Sequence, residues 1–440
     1  MRKFLKASAV VLGAVVFVVV AAIIYDQLIL ARHCPPCHTE ETRQLPIFGP
    51  EHQDDGIVQV RSNGRLFRAR VAGFENAGGD GVVLLHGYPA TSIMWTPVIH
   101  TLVKNGFRVI AFDQRGYSPG ARPGRVKAYS KDNLVGDVIG IANAVGFERF
   151  HIVGHDWGGV IAWLAADRHP DRVATVTSLA TPHPEALREA LLGSLEQLKS
   201  SSYALLTFIP GVGEFIFGFN QAAYLKRYSW NMMSAPVRDE YERVFTEPGA
   251  LSAALKWYRA NSFFSGAVVG KTRQPTLYVW GNQDRSLSRE GAEKTADYVK
   301  GPYKLVKMIA AHRLVTEFPD RVSQEILSHL TRWPIAVLPP LPPVSSGAMG
   351  EQECAGSKPR CLRLNVAPNG TAIQIINKCE QRHAGTIILR CNKWPDEAYT
   401  LHEFDLGPAS KTVYVTHGLS FGECYYNQTI CIAPHSSSQR

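Results

Sequence analysis

At 440 residues the chain is longer than one ordinary domain, and its 45% hydrophobic and 19% charged content is that of a folded protein, which excludes bulk disorder. The formal net charge of +9 comes without a dense Lys/Arg run. A scattered basic surface is therefore expected, and a nucleic-acid site is not.

The first element is apolar. Behind Arg2, Lys3 and Lys6 runs "ASAVVLGAVVFVVVAAIIY", Ala7 to Tyr25, 19 residues without a charge and enough to span a bilayer as a helix. A cleaved signal peptide has a shorter apolar region followed by a small-x-small site, and "AAIIYDQ" offers none. Residues 1–30 thus read as an uncleaved signal anchor. The basic flank places the N-terminus in the cytoplasm and the catalytic part on the extracytoplasmic or lumenal side. Residues 31–55 read as a polar spacer. Its "HCPPCH" contains the C-x-x-C-H pattern of c-type haem attachment. Too little chain follows before the next domain to wrap a haem, so a local disulfide or spare thiols are expected there.

From residue 56 the pattern changes. "GIVQVRSNGRLFRARVAGF" reads as two short strands around Ser62-Asn63-Gly64. "GVVLLHG", "FRVIAFD", "FHIVGHD", "VATVTSLA", "PTLYVWG" and "YKLVKMIA" follow, mostly continuous apolar runs ending in turn residues. Such runs suit strands buried on both faces of a parallel sheet. Helical segments near Thr96–Asn105, Lys131–Val145 and Gly158–His169 alternate with them, which argues for an α/β sheet with helices on both faces, over residues 56–332. The alternation breaks between about 183 and 272, a stretch rich in Leu, Phe, Tyr and Trp. A loop of that length cannot be structureless, so it reads as a helical cap over the carboxyl edge of the sheet. Residues 333–352 hold five prolines and read as a stiff linker. Residues 353–440 alternate β-branched and polar residues and carry Cys354, Cys361, Cys379, Cys391, Cys424 and Cys431. They read as a small, disulfide-rich, mainly β domain of open connectivity, a candidate binder of a glycan or a protein.

The chemistry begins at "FHIVGHDWGGVIAW". Strand, tight glycine turn and helix match the nucleophile elbow G-x-S-x-G, with Asp156 where serine is usual. "HGYP", His86 to Pro89, ends an earlier strand, where a backbone N–H can complete an oxyanion hole; here the donors would be those of Tyr88 and Trp157. Asp284 and His312 each follow a later strand. The order nucleophile, acid, histidine is that of α/β-hydrolases.

With His86, Gly87 and Pro89 of HG-x-P, "DQRGYSPGARP", "GHDWGG", "PDRV", "TPHP", "WGNQD" and the histidine with Glu317 and Pro319 behind it, the chain resembles the epoxide hydrolases of the α/β-hydrolase fold over about residues 57–332. The resemblance implies two cap tyrosines that activate the epoxide oxygen. Tyr203 in "YALLTFIPG" and Tyr258 in "KWYRAN" stand in those contexts. It implies a hydrolase that needs no cofactor or metal, here behind the anchor read from the N-terminal run. A carboxylate is ionised near neutral pH and attacks a saturated carbon without a base; His312, oriented by Asp284, then serves only to hydrolyse the resulting ester. Two positions depart from the family's pattern, Ala311 and Arg313 around the histidine. The alternatives are a haloalkane dehalogenase-like hydrolase, whose elbow also carries Asp-Trp, and a catalytically inactive membrane-tethered binding ectodomain.

Overall fold

A computed structural model describes residues 38–194, 207–261 and 269–335, together with residues 13, 17 and 197 and six strands of the C-terminal region. The chain divides into two compact units, Met1–Ile335 and Ala336–Arg440. The anchor run apart from Gly13 and Phe17, the CPPC stretch, most of the Pro-rich linker and Tyr203 lie outside the described residues. Among the described residues no helix is long and apolar enough to cross a membrane.

The first unit is built on eight strands: β1 (Gly56–Ser62), β2 (Arg65–Ala72), β3 (Gly81–Leu85), β4 (Arg108–Phe112), β5 (Phe150–His155), β6 (Val173–Leu179), β7 (Thr276–Gly281) and β8 (Tyr303–Met308). They lie in the order β1-β2-β4-β3-β5-β6-β7-β8. The hairpin β1–β2 joins β4 antiparallel, and every pairing from β4 to β8 is parallel. The central strands β3, β5, β6 and β7 are buried along their whole length, because helices cover both faces of a parallel sheet. The last strand differs from its sequence pattern. In β8 only Val306 and Met308 are buried, while Lys304 and Lys307 face water and pair with Glu325 and Glu293. As the edge strand it is only partly covered on either face, with Tyr303 and Leu305 half-buried against Tyr278 and Trp280 on the other side.

The strand order sets the site. The chain runs from β3 out to β4 on one side and returns to β5 on the other. The carboxyl ends of the neighbours β3 and β5 therefore open the crevice where α/β sheets bind ligands. The loop after β3 carries Tyr88, and the turn after β5 carries Asp156.

Among the described residues four helices stand between β6 and β7, Pro184–Gly193, Val212–Tyr228, Ala235–Phe245 and Ala250–Ala260. The second is broken at Phe219–Ala222, where Asn220, Gln221 and Ala222 adopt left-handed backbone. Side-chain bonds latch this region onto the loops of the sheet. Trp230 Nε1 donates to the Pro89 carbonyl at 3.0 Å, and Trp257 Nε1 to that of Arg115 at 2.7 Å. Glu240 receives Arg68 and Arg70 from β2 and the Thr91 hydroxyl, while Arg68 also holds Asp113 at 2.9 Å, all of them buried or nearly so. Two cations and two anions thus neutralise one another in the interior, the condition under which buried charge is tolerated.

The second unit shows two three-stranded antiparallel sheets, with orders β13-β10-β9 and β12-β11-β14, for strands β9 (Leu362–Val366), β10 (Ala372–Asn377), β11 (His383–Cys391), β12 (Trp394–Leu406), β13 (Lys411–Val415) and β14 (Gln428–Pro434). Cys391 and Cys431 lie on β11 and β14, and the remaining cysteines fall outside the described residues.

Candidate active site

Asp156 stands between β5 and the helix Trp157–Arg168 with φ 54° and ψ −124°. That conformation is strained for a residue with a Cβ, at a cost of roughly 1–3 kcal/mol. Its surroundings hold it there. The Asp156 carbonyl accepts the N–H groups of Gly159 and Val160 at 2.9 and 3.2 Å and the Thr181 hydroxyl at 2.8 Å. Gly158 is required by close approach, since a Cβ would overlap the Leu85 carbonyl of β3. A Cβ at Gly87 would overlap the Asp156 carboxylate itself.

The two oxygens of that carboxylate have different partners. Oδ1 accepts the backbone N–H of Tyr88 at 2.7 Å, and the N–H of Trp157 also bonds the carboxylate. Oδ2 lies 3.4 Å from His312 Nε2. His86 sets the direction of the Tyr88 amide. Its Nε2 accepts the N–H of Gln114 at 3.0 Å, so the proton sits on Nδ1, which donates to the Gly87 carbonyl at 3.0 Å. The Gly87 carbonyl and the Tyr88 N–H belong to one peptide plane and point opposite ways, so fixing the first aims the second at Asp156. Burial holds His86 below its usual pKa, hence neutral.

His312 follows β8, and its Nδ1 bonds Asp284 Oδ2 at 2.8 Å. Asp284, in the turn after β7, turns its other oxygen to the N–H groups of Ser286 and Leu287 at 2.7 and 3.1 Å. Burial disfavours a charged His312, but the carboxylates of Asp284 and Asp156 outweigh it and raise its pKa to about 10. Asp156 is held below the usual carboxylate range, burial again opposing and His312 prevailing. The resting site is thus an imidazolium between two carboxylates.

The structure brings Asp156, Asp284, His312, Tyr88 and Trp157 together, with Tyr258 beside them. The Tyr258 ring packs edge-on against those of Trp157 and Tyr88, with centroids 5.1 and 5.8 Å away. Three residues with a supporting part carry no role in the sequence reading. His155 Nε2 donates to the His312 carbonyl at 2.9 Å, and burial lowers its pKa to about 4, so this neighbour adds no charge. Thr181 binds the elbow, and Glu317 Oε2 accepts the Ala311 N–H at 3.0 Å. All three lie in motifs visible in the sequence, "GHDWGG", "TPHP" and the stretch behind His312. Arg313 Nη1 donates to the carbonyls of Tyr228 and Ser229, at 3.0 Å for Tyr228, where a cap helix ends. The residue beside the histidine thereby ties the histidine loop to the cap.

A strained elbow, a hole of two backbone amides and an acid–histidine pair stand at the carboxyl edge of a mixed sheet, and residues 81–314 match the family model described as alpha/beta hydrolase fold. The chain belongs to the α/β-hydrolase fold family. Within that fold it is 32% identical over 286 residues to Epoxide hydrolase 4 of Mus musculus, covering 62% of this chain and 78% of that one. It is 30% identical over 316 residues to Epoxide hydrolase A of Mycobacterium tuberculosis, covering 62% and 96%. Among solved structures it superposes with TM-score 0.56 and 27% identity on one from work on epoxide hydrolases in metagenomes from hot environments, covering 63% and 98%. The epoxide hydrolase of Bacillus megaterium, at TM-score 0.58 and 23% identity over 62% and 99%, shares the fold.

Proposed function

We propose that this protein is an epoxide hydrolase that converts epoxides to vicinal diols through an ester on Asp156. The observation that carries the reading is the divided environment of the Asp156 carboxylate, Oδ1 in the amide hole and Oδ2 beside His312, in a chain 32% identical to an epoxide hydrolase over most of that protein's length.

In the first step Asp156 Oδ2 attacks an epoxide carbon, forming a C–O ester bond as the ring C–O bond breaks. The ring oxygen leaves as an alkoxide and takes one proton from the cap, where Tyr258 and Tyr203, which belongs to the same segment, are the two hydroxyl donors. In the second step His312 Nε2 removes a proton from water, and the hydroxide adds to the ester carbonyl. The negative charge then sits on Oδ1, where the N–H groups of Tyr88 and Trp157 stabilise it; one such donor is worth roughly 3 kcal/mol. Collapse releases the diol, whose oxygen takes the proton back from His312, and the acid proton left on Asp156 then passes to His312 to restore the carboxylate and the imidazolium. The electrostatics supply the order of events. Esterification removes the charge of Asp156, one of the groups that raise the His312 pKa, so the imidazolium then releases its proton, which replaces the one the cap gave to the alkoxide, and only after alkylation is the neutral imidazole a competent base.

The proposal extends to placement. The length of the Ala7–Tyr25 run and its basic flank support a signal anchor with the catalytic unit on the extracytoplasmic or lumenal side. The crowding of six cysteines beyond residue 353 supports paired thiols in a tail that binds a glycan or a protein.

The test is adduct trapping. His312→Gln leaves the carboxylate able to attack and removes the base, so intact mass spectrometry should show the enzyme plus one substrate. Asp156→Ala should show none. A folded His312→Gln enzyme that forms no adduct with any reactive epoxide would refute the carboxylate-nucleophile reading.

A further inference from the structure

We infer that the cap face carrying Phe219, Tyr224, Tyr228 and Met232 lies on the lipid surface that holds the N-terminal run; this rests on the anchor reading above and not on the reaction. The first observation is exposure. These four side chains stand 53%, 44%, 58% and 73% open to water on adjoining turns of the cap, next to the helix break at Phe219–Ala222. The rings of Tyr224 and Tyr228 touch, with centroids 4.8 Å apart, and the Arg227 guanidinium sits 5.6 Å from the Tyr228 ring centre. Apolar and aromatic side chains with basic neighbours are what an interfacial helix presents to phospholipid.

The second observation is where the chain enters the body. The helix His38–Arg43 is fastened to the cap. Its Thr39 N–H and hydroxyl bond Glu247, the N–H at 2.7 Å, and its Glu41 meets Arg243 at 2.6 Å. Arg243 belongs to the helix Ala235–Phe245, whose Glu242 pairs with Lys226 on the helix that bears Tyr224 and Tyr228. Only residues 26–37 separate the uncharged run from this attachment. Fully extended they reach about 40 Å, while a body of about 300 residues is roughly 50 Å across. A body tethered so briefly at its cap presents the cap to the membrane, and the exposed apolar side chains belong to that same cap. The face also communicates with the site. Tyr224 stacks edge-on with buried Phe217, and Phe217 with Tyr88, the residue whose amide holds Asp156.

The experiment uses the full chain reconstituted in phosphatidylcholine–phosphatidylserine vesicles, with a protease site placed in the spacer between residues 26 and 37. Hydroxyl-radical footprinting is read by mass spectrometry before and after cleavage. Met232 and Tyr228 should oxidise roughly fivefold more slowly before release than after it, as covering an exposed side chain at an interface requires, while buried Met94 and Met308 stay slow in both states. Equal rates before and after release overturn the inference. Slow oxidation in both states also overturns it, because the face is then covered by something other than lipid, a second copy included. A chain that alkali strips from the vesicles before any cleavage removes the anchor reading and this inference with it, and leaves the adduct experiment on Asp156 untouched.

Discussion

Replacing Asp284 by Asn separates the two half-reactions by removing one of the two carboxylates that keep His312 charged and by moving the proton of the neutral ring from Nδ1 to Nε2. Asp284 Oδ1 accepts two backbone N–H groups, from Ser286 and Leu287, and Oδ2 accepts Nδ1–H of His312. An asparagine keeps its carbonyl oxygen on the two backbone donors. The opposite orientation would leave both unpaired inside the protein at roughly 1–3 kcal/mol each. Its NH₂ therefore faces His312, which must offer Nδ1 as an acceptor and carry its proton on Nε2, the atom 3.4 Å from Asp156. Asp156 still attacks, and the imidazolium that had restrained it is gone. The ester that forms meets a histidine with no free nitrogen toward water. The wrong tautomer costs a serine triad about 10⁴ in rate, or about 5.5 kcal/mol at 1.36 per decade. Rapid quench followed by intact mass spectrometry should show a burst of adduct equal to the enzyme, then turnover slowed on the order of 10⁴-fold. A folded Asp284→Asn enzyme that turns over within about tenfold of the parent, or that gives no burst, would refute the tautomer argument.

Four further outcomes follow from the same geometry. Tyr258→Phe and Tyr203→Phe should each slow adduct formation, by roughly 10²–10⁴-fold for a positioned proton donor, and leave hydrolysis of a preformed ester largely unchanged; stopped-flow single turnovers read both. Glu240→Ala strands Arg68 and Arg70 beside a single Asp113. It should cost about 3–5 kcal/mol, seen as a fall in Tm on the order of 10 °C. The raised pKa of His312, about 10 in the folded chain against a usual value near 6.5, contributes stability that is complete below pH about 6.5 and lost as pH rises toward 10. Denaturant unfolding should weaken across that window in the parent, and the slope should disappear in His312→Gln. Truncation at about residue 336, between the two compact units, should leave a folded and active enzyme, and loss of turnover on truncation alone would show that the units depend on each other.

The linear chain by itself determined the repeating parts and the reacting groups. Apolar runs ending in glycine or aspartate mark β3, β4, β5 and β7 because a buried strand is written locally. Asp156, Asp284 and His312 are legible because each stands in the turn that follows a strand. Burial along one strand follows from the number of neighbours the strand has, and so the pattern of "YKLVKMIA" reads as interior although β8 is the edge. What only the tertiary structure decided is the set of bonds between distant segments. Arg68 and Glu240 are 172 positions apart, and Trp230 and Pro89 are 141 apart, with no spacing or period to connect them. The strand order that sets β3 beside β5 joins the Tyr88 amide to Asp156 across 68 positions. The same closure places two carboxylates around one imidazole, so the charge of His312 is a property of the folded site and not of the histidine. A sequence names the groups that can react; their protonation and aim depend on distances and on lost water, which exist only once the chain has closed on itself.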